Sequence, residues 1–184
     1  MLRKVMLYGL VLLCTGCVKT ARQPPAMLEF IDIHKDHRGD YSFLFSSNID
    51  LFTIFDIPDI HSKSPPALIC SFDGDMDFAG DHLIYAQAMG IVARTTDPAI
   101  YVAEMRFHYT HRNGKPAPLD SYEYYLALLQ GGSAINCTVS VTYWGFKPYL
   151  SEVLTVPSAL MLERFRQKGA MKAVERPMSE QDYR

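Results

Sequence analysis

The sequence predicts an antiparallel β-sandwich with a short C-terminal helix. Three observations carry this expectation. Short runs rich in Phe, Tyr, Ile, Leu and Val alternate apolar and polar residues between turn-forming clusters. Two cysteines, Cys70 and Cys137, fall on the inward faces of separate runs. A single amphipathic stretch with helical spacing follows Pro157. The cysteine pair invites comparison with immunoglobulin domains, but Trp144 does not lie between the two cysteines. The expectation is therefore a sandwich, without an immunoglobulin assignment.

Along the chain, residues 18–26 contain Lys19, Thr20, Arg22, Gln23 and Pro24-Pro25 and read as a tether. Fully extended, it would reach about 30 Å. Residues 27–33 and 40–46 are strand candidates around a polar turn, with Tyr41, Phe43 and Phe45 on one face. Residues 50–57 form another β-prone run, stopped by Pro58, and 61–66 are a loop. Leu68, Cys70 and Phe72 share a face ahead of an acidic loop at 73–81. Residues 82–94 suit a short helix or strands interrupted at Gly90, and the strand reading is preferred.

Residues 100–110 give the cleanest strand. Tyr101, Ala103, Met105, Phe107 and Tyr109 face one way, while Val102, Glu104, Arg106 and His108 face the other. Asn113-Gly114 is a strong hairpin signal. A two-residue turn there would set Met105 opposite Tyr122, Ala103 opposite Tyr124 and Tyr101 opposite Leu126. The same register sets Glu104 opposite Glu123, a like-charge pair, and Pro116 and Pro118 weaken pairing near the turn. Ile135, Cys137, Val139 and Val141 then alternate with Asn136, Thr138 and Ser140. Residues 144–149 bend at Gly145 and Pro148, and 151–156 are the last strand candidate. A helix is expected at 158–168, with Leu160, Met161, Leu162 and Phe165 inside and Gly169 as its stop. The folded domain is thus placed at 27–169, with a polar tail at 170–184.

The N-terminus has a different character. Arg3 and Lys4 precede an apolar run at 5–13, followed by Thr15-Gly16 and Cys17. This is the layout of a secretory signal with a cleavage site. The run is nearer a dozen residues than the ~20 of a spanning helix. Leu13-Cys14-Thr15-Gly16-Cys17 resembles the lipobox of bacterial lipoproteins, with Cys14 where that family most often has Leu. The resemblance implies removal of residues 1–16, a diacylglycerol thioether on Cys17 and a further acyl chain on its amine. Two or three chains give lasting attachment where one holds only marginally. Val18, rather than Asp, after Cys17 implies an outer-membrane destination with the globular part facing the periplasm. Arg3 and Lys4 leave with the signal and no acidic residue does, so the formal charge moves from −2 to −4. That balance gives no electrostatic reason to expect nucleic acid as a partner.

If Cys14 is discarded and Cys17 lipidated, Cys70 and Cys137 remain in an oxidising compartment, where an even pair reads as a disulfide. Closing a loop of about 65 residues is worth roughly 4 kcal/mol in the chain-entropy model. The alternatives are two buried free thiols or a catalytic cysteine. A nucleophile needs an exposed, electropositive setting, and Cys137 sits among Asn, Thr, Val and Ile.

Asp73, Asp75 and Asp77 form a calcium candidate, since alternate aspartates bring carboxylates towards one point. An EF-hand match fails, with Phe78 where that loop has Gly and Ile84 where it has Glu. The alternative is a solvated acidic turn. His34, His37, His108 and His111 come in two pairs that flank expected turns and offer a zinc set only if the chain reverses between them. The catalytic serine, zinc-protease and phosphate-loop motifs do not occur. Glu104 and Glu123 read as solvated glutamates rather than a hydrolytic pair. The expectation is no enzyme, no cofactor and no evident small-molecule substrate. Tyr125, Trp144, Phe146 and Tyr149 are candidate protein-binding residues, the alternative being that they pack the core.

In size, anchor and β-rich build the chain resembles the immunity lipoproteins that guard the periplasm against toxins delivered by type VI secretion. The likeness lies in general layout, not in a motif. It implies a surface that occludes a toxic effector's active cleft. The competing expectation is a structural or assembly lipoprotein of a secretion system, a pilus or the cell envelope.

Overall fold

The computed structural model describes residues 18–35, 41–55, 64–79, 86–110, 122–132 and 134–167. Cys17, the signal, residues 111–121 with Asn113-Gly114, and the tail lie outside the described residues. The strands are β1 (Leu28–Lys35), β2 (Tyr41–Ser47), β3 (Ala67–Ser71), β4 (Ala86–Arg94), β5 (Ile100–Tyr109), β6 (Ala134–Val141), β7 (Tyr149–Leu150) and β8 (Leu154–Pro157). Helix α1 spans Tyr122–Gly131 and α2 spans Ser158–Gln167. Among the described residues no helix is long and apolar enough to cross a membrane.

The protein is mainly β and antiparallel, with a short helix after the last strand and a Cys70–Cys137 disulfide, as the alternating runs predict. All eight strands belong to one sheet, ordered β1-β2-β5-β4-β3-β6-β7, and β8 also pairs with β6. Both β7 and β8 use the same edge of β6, at Ser140–Val141 and Ala134–Cys137 respectively. The sheet coils until β8 touches β1, nearly closing a barrel. Its interior holds Ile33, Phe43, Phe45, Leu68, Tyr101, Ile135, Val139, Val141 and Val156. Burying each of the larger side chains contributes about 1.5–3 kcal/mol. Helix α2 packs Met161 and Ser158 against β1, β8 and β6, so its apolar side covers the near-closure.

Local chemistry shapes several of these elements. On β1, Phe30 pairs with Phe45 and Ile33 with Phe43, and the extra residue between them is Ile31. That bulge lets two apolar residues three apart share the interior. On β6 the outward Asn136 and Thr138 are also buried. Thr138 Oγ1 donates to the Ser151 carbonyl at 3.1 Å, and Thr155 Oγ1 donates to Asn136 Oδ1 at 3.1 Å. The return segment through β7 and β8 thus satisfies them.

Three expectations are corrected. Residues 51–55 are turn, not strand: the Asp50 carboxylate accepts the Phe52 amide at 3.0 Å and the Asp50 carbonyl accepts Thr53 N–H at 3.1 Å. An aspartate-capped turn outcompetes the strand and buries Leu51, Ile54 and Phe55. Residues 122–131 are helical. The two edges of β5 are taken by β2 and β4, so Met105 faces Tyr41 and Gly90, and Glu104 faces Ser42 and Ile91. No edge is left for the hairpin partner, and a Leu- and Ala-bearing segment folds as a helix instead.

The expected tether is bound to the domain. Lys19 pairs with Phe146 as a parallel bridge, its amide donating to the Gly145 carbonyl at 3.3 Å and its carbonyl accepting Lys147 N–H at 2.8 Å. Further on, Ala26 is fully buried.

Candidate functional site

β4 alternates strictly. Ala86, Ala88, Gly90 and Val92 face the interior, while Gln87, Met89, Ile91 and Ala93 face out. Gly90 is required on the inner face because the partner strand comes close. A Cβ there would lie 2.5 Å from the Glu104 carbonyl oxygen and 2.9 Å from Met105 Sδ. The inner face of β4 thus carries the small Ala86, Ala88 and Gly90 with the buried Val92, while Met89 and Ile91 stand outside. Ile91 is 65% exposed and Met89 39%, an unusual load for the outer face of one strand.

The register surrounds them with a definite neighbourhood. Ile91 stands between Ala67 and Glu104, Met89 between Ile69 and Arg106, Ala93 beside Val102, and Gln87 beside His108. Together they form a shallow depression of about 530 Å³ with an apolar floor and Glu104, Arg106 and His108 along one side. An apolar centre rimmed by charges of both signs is the composition of a small protein-binding surface. It lies on strands, so its shape is fixed before any partner arrives. Sequence reasoning missed Met89 and Ile91. The signal was present in the odd–even alternation across Gly90, once that glycine is placed inside.

The residues singled out from the sequence fall differently. Cys70 and Cys137 are directly opposite on neighbouring strands β3 and β6, with Cα atoms 4.0 Å apart and a 2.07 Å S–S bond. Asp73, Asp75 and Asp77 do not converge: their carboxylates accept the amides of Asp75, Asp77 and Ala79, each two residues on. Asp73 also accepts the Ser71 hydroxyl at 2.6 Å. These are successive aspartate turns, and among the described residues no three His, Cys, Asp or Glu side chains group to hold a metal. His108 stands on the outer face of β5 and His34 on β1, while His37 and His111 lie outside the described residues.

Of the four aromatic candidates, Trp144 is 87% exposed. Phe146 packs on Phe55 and Tyr143 with ring centroids 4.9 and 5.4 Å away. Tyr149 is buried and is corrected from a partner contact to an internal clamp: its hydroxyl accepts Ala26 N–H at 2.6 Å and donates to the Pro24 carbonyl at 2.8 Å. Tyr125 lies on α1, and its side chain is outside the described residues.

A charged cluster at the barrel end also escaped the sequence reading. Arg94 Nη2 donates to both Asp50 carboxylate oxygens at 2.8 Å, and its guanidinium lies 4.7 Å from the Phe52 ring centroid. Tyr101 Oη donates to Asp50 at 3.4 Å. Partial burial pushes the Asp50 carboxyl up, but Arg94 and the Phe52 amide more than reverse this and hold it below the usual carboxylate value. Burial raises the Tyr101 phenol, and the adjacent Asp50 charge adds to the shift. These contacts tie residues 50–55 to the barrel. No protein-family model matches the chain, and neither a curated protein nor a solved structure matches it.

Proposed function

We propose that the chain is a lipoprotein, anchored through Cys17 to the periplasmic side of the outer membrane, that binds another envelope or effector protein through the outer face of β3, β4 and β5. The more specific reading is an immunity protein that covers a toxic effector's active cleft. The observation that carries the binding reading is Ile91, an isoleucine two-thirds exposed on a rigid strand beside Met89, Glu104 and Arg106. With Met89, Ala67 and Ala93 it makes a contiguous apolar patch rimmed by charge, the kind of surface that marks interaction sites. Membrane confinement would raise the local concentration at the surface an incoming toxin must cross.

A photoreactive residue at position 91 of the full chain, expressed in its own envelope, tests the proposal. The expected result is one discrete adduct, with a position on the outer face of β1, such as Glu29, giving none. Ile91→Lys is expected to weaken the complex at least tenfold without lowering stability, as hot-spot losses of about 2 kcal/mol or more imply. A toxin in the adduct supports the immunity reading, and a secretion or pilus component supports the assembly reading instead. Equal labelling from both positions would overturn the patch.

A further inference from the structure

We infer that the turn bearing Trp144, together with the segment that starts at Val18, rests on an anionic phospholipid surface, with the indole in the interface and Lys19 and Lys147 beside the headgroups. The inference rests on the reading of Cys17 as the acylated residue. Lys19 is fixed to the Gly145 carbonyl and to Lys147 N–H, and Cys17 is two residues before it. Two Cα steps span at most about 7.6 Å. Acyl chains on Cys17 would therefore enter the bilayer beside the turn, not at the end of a free tether.

The turn is built to present its tryptophan. Phe146 N–H donates to the Tyr143 carbonyl at 3.1 Å, and Gly145 has φ 81° while Trp144 does not have positive φ. That is a type II turn with its required glycine at the third position. Phe146 and Tyr143 seal the base against Phe55, leaving Trp144 87% and Val18 56% exposed. Tryptophan favours the level of lipid headgroups, where its ring is half in hydrocarbon and its N–H is wet.

Charge points the same way. Residues 18–26 and 141–150 contain Lys19, Arg22 and Lys147 and no carboxylate. Basic residues beside an anionic leaflet gain binding energy that decays within a Debye length. The acidic loop is at the other end of the barrel: Asn136, near the start of β6, donates to the Gly74 carbonyl, whereas Trp144 follows the end of β6. Residues 136 and 141 of that strand are about 17 Å apart. Among the described residues near this end, Asp50 pairs with Arg94 and Asp97 accepts the Ala99 amide, while Glu152 lies beside Ala26, at the far end of the 18–26 segment from Lys19.

Trp144 is the sole tryptophan, so its emission reports the contact directly. The full chain is purified from membranes and reconstituted into phosphatidylethanolamine–phosphatidylglycerol vesicles, and the mass of the N-terminal peptide is read on the same sample. The expected result is an acylated Cys17 with blue-shifted emission, quenched by acyl-brominated lipid and protected from acrylamide. Exchanging both lysines (K19Q with K147Q) is expected to restore part of the acrylamide quenching. An acylated chain with water-like, acrylamide-quenched emission would overturn the inference and leave the anchor standing, with Trp144 free for a protein partner. Lipid-protected emission from a chain without acyl groups would support the surface and remove the anchor. Water-like emission without acylation would overturn both.

Discussion

The Tyr149 hydroxyl accepts Ala26 N–H and donates to the Pro24 carbonyl, so one side chain holds two successive points of the N-terminal segment. Burial, reinforced by the Glu152 charge, keeps the phenol above its usual value, and the proton it donates stays in place. Tyr149→Phe removes the acceptor of a buried amide, a loss of about 1–3 kcal/mol. Urea denaturation should show that loss, and hydrogen exchange should show the Ala26 amide opening faster. Asp50 gives a pH signature of the opposite kind. Its folded value lies below the unfolded one, so its contribution is present above the unfolded value and is lost as pH falls through the folded one. Stability should decline on the acid side of about pH 4, and Asp50→Asn should flatten that limb. With side-chain exposures of 35% for Asp50 and 44% for Arg94, solvent screens the pair, and the effect is expected to be small.

At the scale of elements, β4 shows how one missing methyl group sets a surface. Gly90→Ala places a Cβ 2.5 Å from the backbone oxygen of Glu104, which cannot move without β5. The expected cost is about 1–3 kcal/mol by urea denaturation. Gly131→Ala, where nothing lies within 4 Å, should cost much less. The inner face of β5 was legible because Tyr101, Ala103 and Met105 alternate without interruption, and α2 because Pro157 and the apolar spacing mark its start. Residues 50–55 misled because Leu51, Ile54 and Phe55 are β-prone one at a time. Their spacing of three and one suits a turn capped by Asp50. Segment 122–131 misled for a non-local reason: whether β5 has a free edge depends on where β2 and β4 pair, and local pattern does not carry that. The candidate surface was hidden behind the same ambiguity, since Met89 and Ile91 become an exposed pair only once Gly90 is known to face inward.

Across the whole molecule, the β3–β6 pairing is the seam on which closure depends. It is the junction between the run β1-β2-β5-β4-β3 and the group β6, β7 and β8. The strands it joins are far apart in sequence, with Cys70 and Cys137 separated by 67 residues. Such a long loop is costly to close in the unfolded chain, and a covalent link at the seam removes that cost. The side chains beside it, Leu68 and Val139, pair directly across the same two strands and are fully buried. The bridge and the apolar contacts therefore act on one junction. Cys70→Ala combined with Cys137→Ala should lower stability by about 4 kcal/mol, and the urea m-value should rise because the unfolded chain is freed to expand. Against a typical total of about 5–15 kcal/mol, that loss makes folding depend strongly on an oxidising compartment. A double variant within about 1 kcal/mol of the native protein would instead show that strand pairing alone holds the seam, and the dependence of folding on oxidising conditions would lose its physical support.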